Sequence, residues 1–223
     1  MKLRAILFDH DGTLVDSEPI HYQMWVEVLQ RYGFILSEQQ YKARYAGVPT
    51  PANAIDMVQR FGIDESPELL AEAKHAATQE YLDRQAFPLM PGVKEAITHF
   101  HDAGLKLAVV TGASANGVQT TLRVNELEHY FSTVVSGNDV RASKPAPDCY
   151  LLALQRLGVS AAECLAIEDT QHGLEAAHRA GIACVALPTE MSMHQDFNLA
   201  LASLGGMSEA VEYVRKALHA SEA

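Results

Sequence analysis

The segment Ala5–Asp16, AILFDHDGTLVD, changes character at its midpoint. Its first four residues, Ala5-Ile6-Leu7-Phe8, are apolar and suit a fully buried parallel strand. Asp9-His10-Asp11-Gly12-Thr13 follows at once. Two carboxylates so close together, just past the carboxyl end of a buried strand, stand where open α/β sheets bind their ligands. Without a counter-cation they repel, and one tends to keep a proton. A divalent metal relieves that repulsion, and oxygen-only ligation suits magnesium. Gly12 lets the chain bend sharply after the second aspartate. An EF-hand reading fails, because the twelfth loop position counted from Asp9 is Ile20, where a bidentate glutamate is required. An ordinary acidic turn is the plain alternative, and the rest of the chain bears on it.

A length of 223 residues suits one large domain, or a core with a smaller insertion. With 48% hydrophobic residues the chain can bury a substantial core, and no apolar run has the length of a membrane span. The N-terminal residues enter the first strand without a signal-peptide pattern. Cys149, Cys164 and Cys184 are odd in number and widely spaced, which reads as buried reduced thiols. A cytoplasmic protein is expected. The net charge of −11 argues against nucleic acid or an anionic membrane as a partner. An anionic substrate would then need a local cluster of positive charge.

Ser17-Glu18-Pro19 reads as a helix start, with Ser17 as N-cap. Helical texture runs to Arg84, broken at Gly47–Pro51 and Gly62–Asp64, with no convincing strand. Residues 17–86 are therefore expected to form an all-helical insertion, with residues 1–16 and 87–223 as the core. From Val93 the pattern alternates helix and strand. Strands are expected at Leu105–Val110, Phe131–Val135, Cys164–Ile167 and Ile182–Ala186, and helices at Val93–Ala103, Gly117–Arg123, Asp148–Leu157, Gly173–Ala180 and 207–218. That succession predicts an α/β fold with a doubly wound, Rossmann-like parallel sheet and Ala5–Phe8 at its centre.

Four strand ends then carry polar residues. They are Asp9 with Asp11; Thr111, followed by the backbone N–H groups of Gly112 and Ala113; Lys144, between Ser143 and Pro145; and Glu168 with Asp169. Thr111 and the amides after it suit a phosphate oxygen at a helix N-terminus. Glu168 and Asp169 are placed to complete a metal sphere. Alone, each has an ordinary explanation: Thr111 and Asp169 sit where helices are capped, and single lysines are usually solvated. Four in this order make coincidence a poor account.

The chain resembles the haloacid-dehalogenase superfamily, and within it the β-phosphoglucomutase-like phosphatases with a helical cap. The motifs DHDGTLVD, VVTGAS, SKPAPD and AIEDT match the family's four, and the resemblance covers nearly the whole chain. It implies that Asp9 attacks phosphorus to give an aspartyl-phosphate, while Asp11 first protonates the leaving oxygen and then activates water. It implies Mg2+ held by Asp9, the Asp11 carbonyl, Glu168 and Asp169, with Lys144 and Thr111 on the transferring oxygens. Because Asp11 is present, phosphoryl transfer is favoured over dehalogenation.

His21 stands where β-phosphoglucomutases carry a histidine that acts on the second aspartate. Other mutase features are missing: Gly47-Val48 leads into Pro49-Thr50-Pro51 without an arginine. Counting from Tyr81, the mutases' cap lysine falls at Ala77, with Lys74 and His75 three and two residues out of register. A phosphatase acting on a small phosphorylated metabolite, such as a sugar phosphate, is the expected function, with a mutase as the alternative. A non-catalytic binding module is the reading of a different class, disfavoured because every catalytic position is filled. Specificity is expected from His21, Gly47–Pro51 and Lys74–Thr78, and a monomer is expected.

Overall fold

The computed structural model describes residues 3–220. Six strands form one sheet in the order β3-β2-β1-β4-β5-β6. They are β1 (Ala5–Phe8), β2 (Lys106–Val110), β3 (Phe131–Val135), β4 (Cys164–Glu168), β5 (Ala183–Ala186) and β6 (Ala202–Ser203). All neighbouring strands are parallel. The sheet is thus the expected doubly wound one, with β1 between β2 and β4.

Every residue of β1 is fully buried, as its unbroken apolar run implies. The period-2 alternation of the strands then sorts the core into two layers. Ile6, Phe8, Leu107 and Val109 face a cluster built with α5 (Val93–Asp102), α6 (Ala115–Val124) and α9 (Met207–Ala220). Ala5, Leu7, Ala108 and Val110 face the other, built with α7 (Asp148–Leu157) and α8 (Gln171–Arg179). Cys164 and Cys184, in or beside apolar strand runs, are buried and free as expected, and so is Cys149.

Between β1 and α5 lie α1 (Glu18–Gln30), α2 (Glu38–Arg44), α3 (Thr50–Phe61) and α4 (Pro67–Arg84). These helices enclose an apolar cluster of their own around Trp25, Leu29, Tyr41, Met57 and Leu70. The expected breaks fall where α2 gives way to α3 and α3 to α4. Among the described residues, no helix is long and apolar enough to cross a membrane.

Most boundaries fall within two residues of the sequence reading, with α8 starting at Gln171 rather than Gly173. β6 was not expected, because two residues joined to β5 through Val185 and Ala186 carry no periodic signal. α6 starts at Ala115 rather than Gly117, since Ser114 adopts the extended N-cap conformation.

Candidate active site

In a parallel sheet the carboxyl ends of all strands lie along one edge, so the residues after β1, β2 and β4 converge. Asp9 follows β1, Thr111 follows β2, and Glu168 and Asp169 close β4. Asp9, Glu168 and Asp169 are buried, and each offers a carboxylate oxygen within 4.8 Å of the others. Lys144 reaches them from the loop before α7. Its Nζ donates to Asp9 Oδ1 at 2.6 Å, to Glu168 Oε1 at 2.6 Å and to the Val110 carbonyl at 2.8 Å. One ammonium thereby ties together the ends of three adjacent strands.

Burial opposes charge on every member of this group. It pushes the Asp9, Glu168 and Asp169 carboxyls up, against the pull of Lys144. Burial also opposes the Lys144 ammonium, but Asp9 and Glu168 outweigh it and hold that group protonated. Three carboxylates against one ammonium leave two negative charges, which is the charge of one divalent cation. Two of their oxygens, Glu168 Oε2 and Asp169 Oδ1, are buried without a hydrogen-bond partner. Orphaned acceptors at that depth are costly unless a cation takes them. The set is all oxygen, which suits a hard ion such as magnesium. The residues present fit the metal the sequence implies.

Glycine makes the approach possible. Gly12 has φ +79°, and a Cβ there would lie 2.0 Å from Asp169 Oδ2. The bend that the sequence assigned to Gly12 is present, and its lack of a side chain gives Asp169 its place. At Gly173 in α8 a Cβ would lie 1.9 Å from Glu168 Oε2.

The Asp11 carboxylate has partners of its own. Ser17 Oγ donates to its Oδ1 at 2.6 Å, His21 Nε2 lies 3.6 Å from the same oxygen, and His10 Nδ1 lies 3.4 Å from Oδ2. Burial disfavours the charge, yet His10 and His21 together hold the carboxyl well below the usual range. Only the backbone of Asp11 remains for the metal role assigned to it, as the resemblance implies. Ser17 is the N-cap residue of α1 as expected, but its hydroxyl serves Asp11 rather than the helix end.

Behind His21 stands Lys74, buried in α4, with Nζ 3.1 Å from His21 Nδ1 and 2.9 Å from Thr78 Oγ1. An ammonium has no lone pair, so Nδ1 accepts and the ring hydrogen sits on Nε2, facing Asp11. Burial lowers the Lys74 pKa to about 8, with Glu18 and Asp11 pulling the other way. The sequence reading set Lys74 aside as three residues out of register. Three residues are close to one helical turn, so positions 74 and 77 share a face and the long side chain spans the difference. His75, by contrast, lies on the exposed side.

Thr111 is buried, and its hydroxyl accepts the Ala113 N–H at 3.0 Å. That corrects one expectation: the Ala113 amide already has an internal partner, leaving exposed Gly112 as the backbone donor of the pair. Two further residues carried no sequence signal. Tyr150 in α7 donates to Glu168 Oε1 and fixes that carboxylate beside Lys144. Glu18 is held by Tyr41 Oη at 2.7 Å and the Gly47 N–H at 3.2 Å, at the helical side of the cleft.

A family model described as haloacid dehalogenase-like hydrolase matches residues 6–187. The chain is 33% identical over 208 residues to Protein CbbY of Rhodobacter capsulatus, covering 90% of this chain and 92% of that one. It is 35% identical over 181 residues to the fructose-1-phosphate phosphatase YqaB of Escherichia coli (strain K12), covering 81% and 94%. The crystal structure of a CbbY mutant from Rhodobacter sphaeroides in complex with xylulose-(1,5)bisphosphate matches with a TM-score of 0.83 at 27% identity, covering 93% of this chain and 96% of that one. The four strand-end motifs, the parallel sheet around β1 and these matches agree: the chain belongs to the haloacid dehalogenase-like hydrolases and is one of their phosphatases.

Proposed function

We propose that the chain hydrolyses a small sugar phosphate through an aspartyl-phosphate intermediate, with magnesium bound by Asp9, the Asp11 carbonyl, Glu168 and Asp169. We take helices α1–α4, within residues 17–86, as a cap over the site formed by residues 1–16 and 87–223. We take the protein to act as a monomer. The observation that carries the reading is Lys144, which ties Asp9 to a carboxylate cluster with orphaned buried oxygens.

When bound, the metal neutralises charge on the phosphoryl group and lets an anionic nucleophile approach it. A carboxylate oxygen of Asp9 attacks phosphorus, and the bond to the sugar oxygen breaks. Asp11 gives that oxygen a proton. In the second half Asp11 takes a proton from water, the water oxygen bonds to phosphorus, and the bond to Asp9 breaks. Inorganic phosphate leaves and Asp9 is restored. Lys144, the Thr111 hydroxyl and the Gly112 N–H donate to the phosphoryl oxygens. The surroundings of Asp11, with Ser17 donating to it and His10 and His21 beside it, favour its ionised form and suit the base half. The proton that Asp11 takes from water in the second half is the one it gives to the sugar oxygen in the next turnover, so the cycle closes.

The sugar assignment draws on the relatives named above and on the polar cap residues Glu18, His21 and Lys74. A mutase remains a second reading because Lys74 supplies a buried cap cation after all, although Pro49-Thr50-Pro51 still offers no arginine. The test is phosphate release from fructose 1-phosphate, xylulose 1,5-bisphosphate, phosphoglycolate, a nucleotide and β-glucose 1-phosphate, with magnesium and with chelator. Magnesium-dependent release concentrated in the sugar esters is the expected result. Glucose 6-phosphate without free phosphate would replace it with the mutase, and no turnover of any ester would leave a binding module.

A further inference from the structure

The segment after β5 makes a connection between sheet and helices that neither linker of the insertion provides. Met191 leaves the sheet side of the molecule, yet only 8% of it is exposed, and it belongs to the apolar cluster of Trp25, Tyr41, Tyr45, Ala46 and Met57. Its loop is preformed. Met193 N–H donates to the Thr189 carbonyl at 2.8 Å, Thr189 N–H to Ser192 Oγ at 3.0 Å, and Met191 N–H to Thr189 Oγ1 at 3.2 Å. Ser192 beside it is buried.

Four residues on, Gln195 faces both ways. Its Oε1 accepts the Gln171 N–H at 2.8 Å, two residues past Asp169, and its Nε2 reaches the Ala46 carbonyl at 3.5 Å. The Gln171 side chain returns a bond by accepting the Asp196 N–H at 3.3 Å. Between these points a Cβ on Gly47 would lie 2.7 Å from the Thr170 methyl, so the turn after α2 rests directly on the residue following Asp169.

We propose that residues 188–196 form a strap that seats the helices on the metal-bearing strand end, with Met191 as the peg and Gln195 as the bridge. Both are positioning residues: neither touches the reacting atoms. Opening the cleft requires Met191 to leave its seat or the strap to move with the helices. Because Gln195 is tied to Gln171, either movement is felt next to Asp169. The strap itself rests on geometry, and only its effect on catalysis rests on the phosphatase reading.

The test is amide hydrogen exchange on the full chain with Met191→Ser, Gln195→Ala and Met191→Leu. Exchange of amides in residues 45–49 and 187–196, including the Gly47 amide held by Glu18, should quicken about tenfold in Met191→Ser and to a lesser degree in Gln195→Ala. Met191→Leu should restore the original rates. Amides in α1, α3 and α4 should be unaffected, with Trp25, the only tryptophan, fluorescing as in the parent. Unchanged exchange in both disrupting variants would overturn the strap. Acceleration throughout α1, α3 and α4 would also overturn it, showing Met191 to be merely one more core residue. In a parallel assay with p-nitrophenyl phosphate, a lower population of the seated state should raise KM about fivefold and leave kcat within about twofold. Exchange needs no turnover, so its outcome stands whatever the assay shows.

Discussion

Gly173→Ala sets two magnitudes of opposite sign against each other. Gly173 lies in the first turn of α8, where alanine is favoured over glycine by about 1 kcal/mol on helix propensity. On propensity alone the variant would be more stable. The added Cβ, however, would lie 1.9 Å from Glu168 Oε2 and 2.1 Å from its Cδ. Glu168 is fully buried and its Oε1 is held by Lys144 and Tyr150, so moving Oε2 aside means loosening those bonds. Overpacking costs about 1–3 kcal/mol. Loosening a hydrogen bond to a charged group adds about 1.5–3 kcal/mol. The net is a loss of about 3 kcal/mol, or roughly 6–12 °C in Tm for a chain of this size. Displacing a ligand or its support typically lowers metal affinity about 10–100-fold. The half-saturating magnesium concentration for phosphate release should therefore rise by that factor, measured alongside a thermal melt. A variant that melts at or above the parent temperature, with unchanged magnesium dependence, would show that Glu168 is neither confined nor a ligand.

Asp9→Asn should abolish turnover while leaving the far-ultraviolet circular dichroism unchanged; undiminished turnover would exclude Asp9 as the nucleophile. Lys74 should make stability depend on alkaline pH. Its pKa falls from 10.5 to about 8 on folding, so below pH 8 it carries the full penalty of a buried ammonium, and stability rises as pH climbs toward 10.5. Lys74→Met should therefore gain up to about 3 kcal/mol at pH 7, less its lost bond to Thr78, and much less at pH 9.5. A stability difference independent of pH in urea melts would refute that. Asp139 has the opposite sign: the Arg156 guanidinium at 2.6 Å, with the Ser136 amide and hydroxyl, lowers it to about 2 from 3.8. Its contribution is complete above pH 4 and lost as pH falls toward 2; for this half-exposed pair it should amount to about 1 kcal/mol. The melting difference between the parent and Asp139→Asn should shrink between pH 6 and pH 2.5.

What could be read from the sequence follows from the range of the interactions involved. Ala5–Phe8 was legible because a strand covered on both faces must be apolar throughout, and the polar break after it could only lie at the strand's end. Thr111 and Glu168–Asp169 were legible for the same reason, since parallel strands bring their carboxyl ends to one edge, whereas Lys144 lies nine residues beyond β3 and reaches the edge from the loop before α7. Ser17 was legible as a helix N-cap and misleading as to its bond, because a hydroxyl at a helix start gives no sign of which acceptor it will meet. Lys74 was read within the specificity surface but discounted as the cap cation, by counting residues along a helix where counting turns was needed. Tyr150 sits on the buried side of α7, where an aromatic residue reads as core. Met191 is one of two methionines in a polar loop, Met193 being exposed, and its partners lie more than a hundred positions earlier in the chain. No local pattern encodes a contact of that kind.

The same burial that makes the site costly makes it useful. Asp9, Glu168 and Asp169 could all have been solvated on exposed loops, where their charges would be screened and their pKa values ordinary. Held at buried strand ends, they cannot all stay ionised on the strength of Lys144 alone, and burial pushes all three toward the protonated form. In the proposed reaction a divalent cation would relieve that pressure and favour the charged form of Asp9. Asp11 is kept apart by a different device. Its neighbours are two imidazoles and a hydroxyl, so its charge is stabilised without the metal cluster and its proton can be managed separately. In the proposed reaction, the division between a carboxylate beside the cation site and one set apart from it suits Asp9 to attack and Asp11 to proton transfer. Helix α1 contributes to the second of these, because Ser17 at its N-cap and His21 in its first turn both approach Asp11.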